Sequence, residues 1–339
     1  MKSMLKNHWY VGCASSQLDN EPRAALLHDE PIVLFRDREG RPCALEDRCC
    51  HRGVQLSLGS LTAEGCIACR YHGWQYDRSG RCVHVPSLCS GTPVPAGFKV
   101  RSFPCIEQDH YVWVWMGDGP PSVDAPPRIR GLEAHGWTQG VVEAACDVSL
   151  LFDNILDSSH IPFVHAGTHW NYFLNKMFGF KNYEYEVRTT DNGLAVFYPP
   201  TSGPEAPGHL DDQVASYLEF ELPDRVYVFQ RGVKSNFYLV LHMVSRGPGL
   251  ARIEWLMQQR ERAQGVEWMG SENPTLHQDR VLLESAQGNY DRAGADFERH
   301  VPADFPLLLA RRLISLAREG DWPARRQELV PRKLVLVRQ

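Results

Sequence analysis

Two short cysteine–histidine motifs constrain the fold of this chain more than any other feature of its sequence. The first, Cys49-x-His51, lies in DRCCHRG, and the second, Cys69-x2-His72, lies in CRYHGW. Two hairpin loops can each bring one thiolate and one imidazole to a shared point. A [2Fe-2S] cluster with two cysteines on one iron and two histidines on the other requires this set of ligands. The sequence therefore predicts an N-terminal iron–sulfur domain.

The distribution of cysteines along the chain supports metal chemistry. Nine of the ten cysteines precede residue 106, and the start, MKSMLKNHWYVG, lacks the apolar run of a secretory signal. A disulfide framework is therefore not expected, and a local cysteine cluster indicates metal or redox chemistry. A zinc site is an alternative, because Cys66-x2-Cys69 has zinc spacing and Cys49 or Cys50 could complete it. That alternative leaves both histidines of the motifs unexplained.

Length and composition predict two domains and no nucleic-acid partner. The chain has 339 residues, 43% of them hydrophobic, and a formal net charge of −5. This size favours two domains, and the charge argues against nucleic acid. The proline-rich stretch GDGPPSVDAPPRIRG (117–131) interrupts all periodicity. We therefore expect domains at 1–120 and 121–339.

The sequence also predicts a cytoplasmic protein without a membrane partner. No window reaches the roughly 18 consecutive apolar residues that a membrane-spanning helix needs.

The pattern of apolar residues predicts a mixed α+β fold. In the first third, PIVLFRD (31–37) and RPCALED (41–47) flank a turn and indicate a hairpin, and CIAC, GRCVHVP and HYVWVWMG indicate further strands. The remainder contains β-branched and aromatic runs that favour one antiparallel sheet: QGVVEAAC, GLAVFYP, VASYLEFEL, RVYVFQRG, FYLVLHMVS and ARIEWLMQQ. Helical patterns occur at about 148–160, 275–292 and 305–318. The layout is a sheet with helices on one face.

A second group of polar residues lies in DNILDSSHIPFVH (153–165). Asp157 and His160 are three residues apart and should share a helix face. Pro162 interrupts that helix, so the chain should bend and return His165 to the same side. An iron(II) ion that binds O2 needs two histidines and one carboxylate, with open positions opposite them. The two histidines still lack that carboxylate.

Both groups resemble known motifs. The N-terminal motifs resemble those of the Rieske family, although this chain has Cys50 and Arg70 where that family usually has proline. Neither the role of Cys50 nor that of Arg70 follows from the sequence. The second group resembles the N-x2-D-x2-H-x4-H motif of Rieske non-haem iron oxygenases, with Asn154, Asp157, His160 and His165 at the matching positions. The resemblance implies an all-β Rieske domain, followed by a helix-grip-like catalytic domain with an antiparallel sheet and flanking helices.

The resemblance also assigns the metal ligands. The [2Fe-2S] cluster would be bound by Cys49, His51, Cys69 and His72. A mononuclear Fe(II) would be bound by His160, His165 and an aspartate on a later helix. Within HQDRVLLESAQ that aspartate is Asp279, with Glu284 as the fallback; Gln278 stands where the family often has an acid.

The same resemblance gives Asp157 and Asn154 a place in the catalytic apparatus. Asp157 would accept hydrogen bonds from His72 of one subunit and from His160 of the next, and so link the two metals. This arrangement requires a ring of subunits, and we expect a homotrimer with heterologous contacts.

The implied function is that of a terminal oxygenase. It would use O2 and electrons from a separate NAD(P)H-dependent reductase, directly or through a ferredoxin, because no G-x-G-x-x-G run follows a strand here. Hydroxylation or oxidative demethylation of an aromatic or heterocyclic compound is the favoured reaction, and arene cis-dihydroxylation is the alternative. A Rieske electron-transfer protein without oxygenase activity is a second alternative. The aromatic segment HWNYFLNKMFGFKNYEY (169–185) either lines the substrate pocket or packs in the core.

Overall fold

The computed structural model describes residues 5–132, 136–165, 182–198, 216–231, 236–259, 274–320, 322 and 324–338. The chain divides into two compact units, one formed by Lys6–Leu132 and the other by Met1–Leu5 with Glu133–Gln339. The proline-rich stretch 117–131 therefore belongs to the first unit. The functional limits 1–120 and 121–339 stay a prediction.

The described part of the first unit is built from short strands. They are β1 (His8–Ala14), β2 (Arg23–Leu27), β3 (Glu30–Arg36), β4 (Pro42–Glu46), β5 (Ser60–Leu61), β6 (Ile67–Ala68), β7 (Gln75–Tyr76), β8 (Cys82–His84), β9 (Ser102–Phe103), β10 (Cys105–Gln108) and β11 (Tyr111–Met116). They form a three-stranded sheet, β1-β11-β10, and two four-stranded sheets, β2-β3-β4-β9 and β5-β6-β7-β8. The predicted hairpin is confirmed by the β3–β4 pair, in which Arg36 lies opposite Pro42.

The turn of this hairpin follows from its sequence. The Asp37 carboxylate accepts backbone hydrogen bonds from Glu39 at 3.1 Å and from Arg41 at 2.9 Å. An aspartate that binds the backbone two residues ahead favours a turn over a continued strand. The strands on either side bury Val33, Phe35 and Leu45 in the same apolar cluster as Cys49, Cys69, Trp74 and Tyr76. The core of this unit thus anchors both cysteine–histidine loops.

The second unit contains an eight-stranded antiparallel sheet. Its strands are β12 (Trp137–Ala144), β13 (Asn182–Thr189), β14 (Gly193–Tyr198), β15 (Ser216–Glu221), β16 (Arg225–Arg231), β17 (Asn236–Gly247), β18 (Leu250–Gln259) and β19 (Arg332–Arg338). The order is β12-β18-β17-β16-β15-β14-β13-β19. The six strands that the sequence predicts here are all present, and β13 and β19 extend the sheet beyond them.

Helices cover one face of this sheet. They are α1 (Val148–Leu156), α2 (Ile161–Val164), α3 (Pro274–Ala293) and α4 (Phe305–Arg318), with 3-10 turns at Ser158–His160, Pro302–Asp304 and Ala324–Glu328. Leu151 of α1 and Leu313 of α4 lie in one apolar core with alternate strand residues such as Phe220, Leu241 and Trp255. The α+β prediction is confirmed. In the part of the chain that the structure describes, no helix is long and apolar enough to cross a membrane.

The predicted helix at 148–160 is present but broken. α1 ends at Leu156, and Asp157 has an extended backbone, with φ −97° and ψ 106°. Its side chain accepts a hydrogen bond from the Ser159 backbone and so begins a separate 3-10 turn. The expectation that Asp157 and His160 share a helix face is therefore wrong. Pro162 also does not end a helix: it lies in the first turn of α2, where no backbone N–H is required.

Two candidate metal sites

The first site is formed by two loops that share one backbone design. In the first loop, the Cys49 backbone N–H donates to Val54 O at 2.8 Å, and the Gly53 N–H donates to Cys49 O at 2.9 Å. In the second loop, residues 69–74, the equivalent bonds also measure 2.8 and 2.9 Å. Each cysteine is thus fixed from both sides by its own loop.

Glycine makes this tight loop possible. Gly53 and Gly73 have φ values of +74° and +70°, in the left-handed region that glycine adopts without strain. A Cβ atom on Gly73 would also lie 3.0 Å from the Pro86 side chain. The glycine that follows each cysteine–histidine motif therefore serves the loop geometry.

The two loops bring their donor groups together. Cys49 and Cys69 are buried, with 2% and 3% exposure, and their thiols are in hydrogen-bond contact. The rings of His51 and His72 lie 4.6 Å apart. His51 Nδ1 is buried and has no hydrogen-bond partner among the described residues. A buried imidazole nitrogen without a partner, in a loop with a buried thiol, fits a metal ligand, so these four residues fit a [2Fe-2S] cluster.

Aromatic stacking fixes the orientation of the first imidazole. The His51 ring lies parallel to Trp74, with centroids 4.5 Å apart and planes 3° apart, and Trp74 stacks in turn on Phe98 at 5.0 Å. Partial burial, with His72 and Arg52 nearby, lowers the pKa of His51. The ring is therefore neutral at pH 7, as a metal-binding imidazole must be.

The zinc alternative finds no support in the described residues. There, only one group of three or more His, Cys, Asp or Glu donors converges closely enough to hold a single ion, and it contains no cysteine. Cys66 is partly buried, and its backbone N–H donates to the Thr62 hydroxyl. Cys50 is exposed.

That single group forms the second site and consists of His160, His165 and Asp279. The two Nε2 atoms of the histidines lie 3.2 Å apart, and Asp279 Oδ1 lies 3.6 Å from His160 Nε2 and 3.4 Å from His165 Nε2. An ion about 2.1 Å from three donors at right angles would hold them about 3 Å apart. Asp279 Oδ1 is buried without a hydrogen-bond partner among the described residues. The set therefore fits two histidines and a carboxylate on one face of an iron ion.

Burial prepares these three groups for a cation. It lowers the pKa of His165 to about 4, and it lowers the pKa of His160 against the opposing effect of Asp157. Both imidazoles are therefore neutral at pH 7. Burial also raises the pKa of Asp279 to about 7, although a hydrogen bond from Asn154 opposes the shift. A bound divalent cation would replace the hydration that this carboxylate has lost.

Gln278 sets the tautomer of His165. His165 Nδ1 lies 3.0 Å from Gln278 Oε1, which can only accept, so Nδ1 carries the proton and Nε2 presents its lone pair to the site. The sequence marks Gln278 only as a departure from an acid. No motif spacing identifies it as the partner of His165, because the two residues are 113 positions apart.

Antiparallel packing of α1 against α3 brings Asp279 to the histidines. The Asn154 amide donates to Asp279 at one end of this contact, and Gln287 Oε1 accepts the Asp147 N–H at 2.7 Å at the other. Asp147 and Asn154 are seven residues apart, and Asp279 and Gln287 are eight apart, which correspond to about 10.5 and 12 Å along a helix. The two contacts are therefore spaced almost equally on the two helices. Glu284 Oε1 accepts the Ala145 N–H at 3.0 Å. Glu284 therefore docks the helices and does not join the three donors.

Asp157 lies beside this group and is not part of it. Its Oδ1 accepts hydrogen bonds from the backbone and hydroxyl of Ser159, and its Oδ2 lies 3.9 Å from His160 Nδ1, too far for a hydrogen bond. His160 Nδ1 has no hydrogen-bond partner among the described residues. The bridge from Asp157 to a neighbouring subunit stays a prediction. Most of the predicted pocket segment 169–185 lies outside the described residues.

Comparisons with known families match both parts of the chain. Residues 8–104 match the Rieske [2Fe-2S] domain, and residues 144–210 match the vanillate O-demethylase oxygenase C-terminal domain. The putative toluene-4-sulfonate monooxygenase iron-sulfur subunit TsaM2 of Comamonas testosteroni is 38% identical over 170 residues, which cover 49% of this chain and 47% of that protein. The dicamba O-demethylase oxygenase component of Stenotrophomonas maltophilia is 36% identical over 168 residues, 48% of each protein.

Solved structures share the whole fold at low identity. The chain superposes on Pseudomonas putida CBB5 NdmA with caffeine at a TM-score of 0.76, with 20% identity, over 97% of this chain and 96% of that one. In sequence, by contrast, the chain spans less than half the length of the curated relatives it matches, and only 25% of the chlorophyllide a oxygenase of Chlamydomonas reinhardtii.

Proposed function

We propose that this member of the Rieske oxygenase family is the terminal oxygenase of a multicomponent system. The chain carries both domains of that family. It takes O2, and electrons from a separate NAD(P)H-dependent reductase or its ferredoxin. Its substrate is an aromatic or heterocyclic small molecule, which it hydroxylates or oxidatively demethylates.

One observation carries this proposal. The donor atoms of His160, His165 and Asp279 converge within 3.6 Å of one another in a chain that also has a Rieske domain. A Rieske electron carrier has no need of a second site with two imidazoles and a carboxylate. The names of the relatives, which include a monooxygenase and O-demethylases, favour these reactions over cis-dihydroxylation.

The protein's own residues prepare the second site for this chemistry. The iron centres, when bound, supply electron transfer and O2 activation. Gln278 keeps the His165 proton on Nδ1, and the Asn154 amide keeps the Asp279 carboxylate turned toward the two histidines. Three donors on one side of an ion leave its other side open to O2 and substrate. Burial of His165 and Asp279, 2% and 4% exposed, excludes water from the protein side of the site.

We extend the proposal to assembly and location. The chain works as a cytoplasmic homotrimer, in which the carboxylate of Asp157 accepts hydrogen bonds from His160 and from His72 of the adjoining copy. The unbonded His160 Nδ1 and the exposed His72 support this arrangement. Light scattering should give the mass of three chains, and a monomer at micromolar concentration would contradict the bridge. Asp157→Asn should keep both metals while slowing turnover severely, and a near-native rate would remove the bridge.

Metal content and O2 consumption test the main proposal together. Protein reconstituted anaerobically should bind about three irons per chain and show the visible absorption of a Rieske centre. With a surrogate reductase, vanillate, dicamba, toluene-4-sulfonate and caffeine should be compared for their ability to accelerate O2 uptake. Substrate-dependent uptake supports the oxygenase. Two irons per chain without uptake would indicate an electron carrier, and a colourless zinc protein would contradict both.

A further inference from the structure

The Asp157 carboxylate is held within its own chain by the residue two positions ahead. Its Oδ1 accepts a hydrogen bond from the Ser159 backbone N–H at 2.7 Å and a second one from the Ser159 hydroxyl. Asp157 thereby caps the 3-10 turn Ser158–His160. The motif that identifies Asp157, N-x2-D-x2-H-x4-H, leaves position 159 unspecified, so the sequence does not single out Ser159.

The two oxygens of this carboxylate consequently have different surroundings. A carboxylate oxygen has about two lone-pair positions, and the two donors of Ser159 fill those of Oδ1. Oδ2 lies 3.9 Å from His160 Nδ1, and the Asp157 side chain is 25% exposed. One oxygen is therefore committed to the chain's own turn, while the other faces the His160 imidazole at a partly exposed position.

We propose that Ser159 is a positioning residue for electron transfer between the two metal sites. Its hydroxyl fixes the rotation of the Asp157 carboxylate and keeps Oδ2 directed toward His160 Nδ1 and the adjoining copy. A hydrogen bond between subunits forms more readily when its acceptor is already oriented, because less conformational freedom is lost. The inference rests on the proposed role of Asp157 as the bridge between His160 and His72.

The hydroxyl supplies an orientation that the backbone bond alone does not. The torsion about Cβ–Cγ of an aspartate is broad and roughly two-fold, so a single donor allows the two oxygens to exchange places. Two donors on the same oxygen distinguish Oδ1 from Oδ2. Alanine at position 159 would keep the N–H and lose the hydroxyl, whereas threonine would keep both donors. Ser159 therefore acts on the histidines through Asp157.

The first test follows the reduced cluster through a single turnover in the iron-loaded full chain. Wild type, Ser159→Ala, Ser159→Thr, Asp157→Asn and the double variant of Ser159→Ala with Asp157→Asn are mixed with O2 and vanillate, and reoxidation of the cluster is recorded. Ser159→Ala should slow reoxidation about 10-fold, the lower end of the effect of losing an outer hydrogen-bond partner. Ser159→Thr should match wild type. The double variant should match Asp157→Asn, because Ser159 acts through that carboxylate.

A second test needs neither O2 nor substrate. Anaerobic titration with Co(II) measures the affinity of the second site, which Ser159→Ala should lower because His160 Nδ1 loses an oriented partner. Ser159→Thr should restore that affinity. Ser315→Ala is the matched control, since the Ser315 hydroxyl also donates to a carboxylate, that of Glu319 at 3.4 Å on the exposed surface. It should change neither the rate nor the affinity.

Three outcomes would overturn the proposal. The first is wild-type reoxidation and Co(II) affinity in Ser159→Ala. The second is additive slowing in the double variant, which would give Ser159 a role in the fold of the turn and none through Asp157. The third is a near-native rate in Asp157→Asn, which would remove the bridge, while intact iron content would leave the oxygenase proposal in place. If vanillate does not drive reoxidation in wild type, the Co(II) affinities of Ser159→Ala and Ser159→Thr decide.

Discussion

The residues that form one metal site lie close together in the sequence, whereas those that form the other are far apart. All four proposed cluster ligands lie in two loops between residues 49 and 72, and each loop closes on its own cysteine through backbone hydrogen bonds. The second site joins a segment at 154–165 to a helix that begins at Pro274. The first site is therefore a property of two local turns, whereas the second is a property of how two helices dock. Substitutions should accordingly damage the two sites in different ways.

The largest expected effect is the loss of the cluster and of the local fold around it. Cys69→Ser removes a thiolate that lies in the apolar core of the first unit, so the visible absorption should vanish and iron content should fall by about two per chain. Cys66→Ser is the matched control, because Cys66 lies outside the proposed ligand set, and its spectrum should stay normal. A Rieske spectrum in Cys69→Ser would show that the wrong thiol has been assigned.

The next effect should be confined to the second site. Asp279→Ala removes the carboxylate that, among the described residues, converges with the two histidines. Turnover and one iron per chain should therefore be lost while the cluster spectrum stays intact. Glu284→Gln is the control on the same helix. Its amide oxygen can still accept the Ala145 N–H, so most activity should remain. Loss of turnover in Glu284→Gln with retention in Asp279→Ala would exchange the two roles.

The same difference explains what the sequence could predict. The motifs around Cys49 and Cys69 contain their ligands and their turn glycines within a few residues, so local spacing suffices. Asp279 follows only from the resemblance, with Glu284 as an alternative, because the spacing of the residues does not say which carboxylate faces His160. In the structure Asp279 Oδ1 lies 3.6 Å from His160 Nε2, whereas Glu284 accepts the Ala145 N–H, and only the packed helices display these contacts.

The prediction of strands and helices is limited in the same way, because it uses only local patterns. The apolar patterns of six strands of the large sheet predict those strands, but the sequence does not predict β13 and β19, which pair with each other. The apolar pattern also does not predict the break in the helix at Asp157. The break depends on the Asp157 side chain, which accepts a hydrogen bond from the Ser159 backbone and caps the next turn. This bond competes with continuation of the helix, and apolar periodicity does not indicate it.

A smaller effect should follow from changes at Gln278. Gln278→Leu removes the acceptor for His165 Nδ1–H, so the histidine loses its fixed tautomer and iron affinity should fall about 10- to 100-fold. Gln278→Glu keeps an acceptor and adds charge, so it should retain or raise that affinity. Titration with Fe(II) or Co(II) under anaerobic conditions measures both. Equal affinities in wild type and Gln278→Leu would remove Gln278 from the site.

The smallest expected effect is on stability and comes from an ion-pair network that joins α4 to α1. Arg311 of α4 donates to Asp153 of α1 at 2.6 and 3.0 Å and to Glu298 at 2.6 and 2.7 Å. Arg311 holds the pKa of Glu298 at about 2, below the 4.5 of an unperturbed glutamate. This stabilisation is therefore present above about pH 4.5 and is lost as the pH falls toward 2. Burial raises the pKa of Asp153, which works in the opposite sense.

Glu298→Gln should consequently lower the free energy of unfolding of the second unit by about 1–3 kcal/mol at pH 7. It should also make the decrease of that free energy with falling pH smaller. Thermal unfolding midpoints between pH 7 and pH 3 measure both effects. Glu328→Gln is the control, since Glu328 pairs with Arg325 on the exposed surface and should matter less. Asp153 precedes Asn154, which holds Asp279, so weakening the network should loosen the second site and spare the cluster. Equal loss of both iron centres in Glu298→Gln would contradict the inference that only the second site depends on how its helices dock.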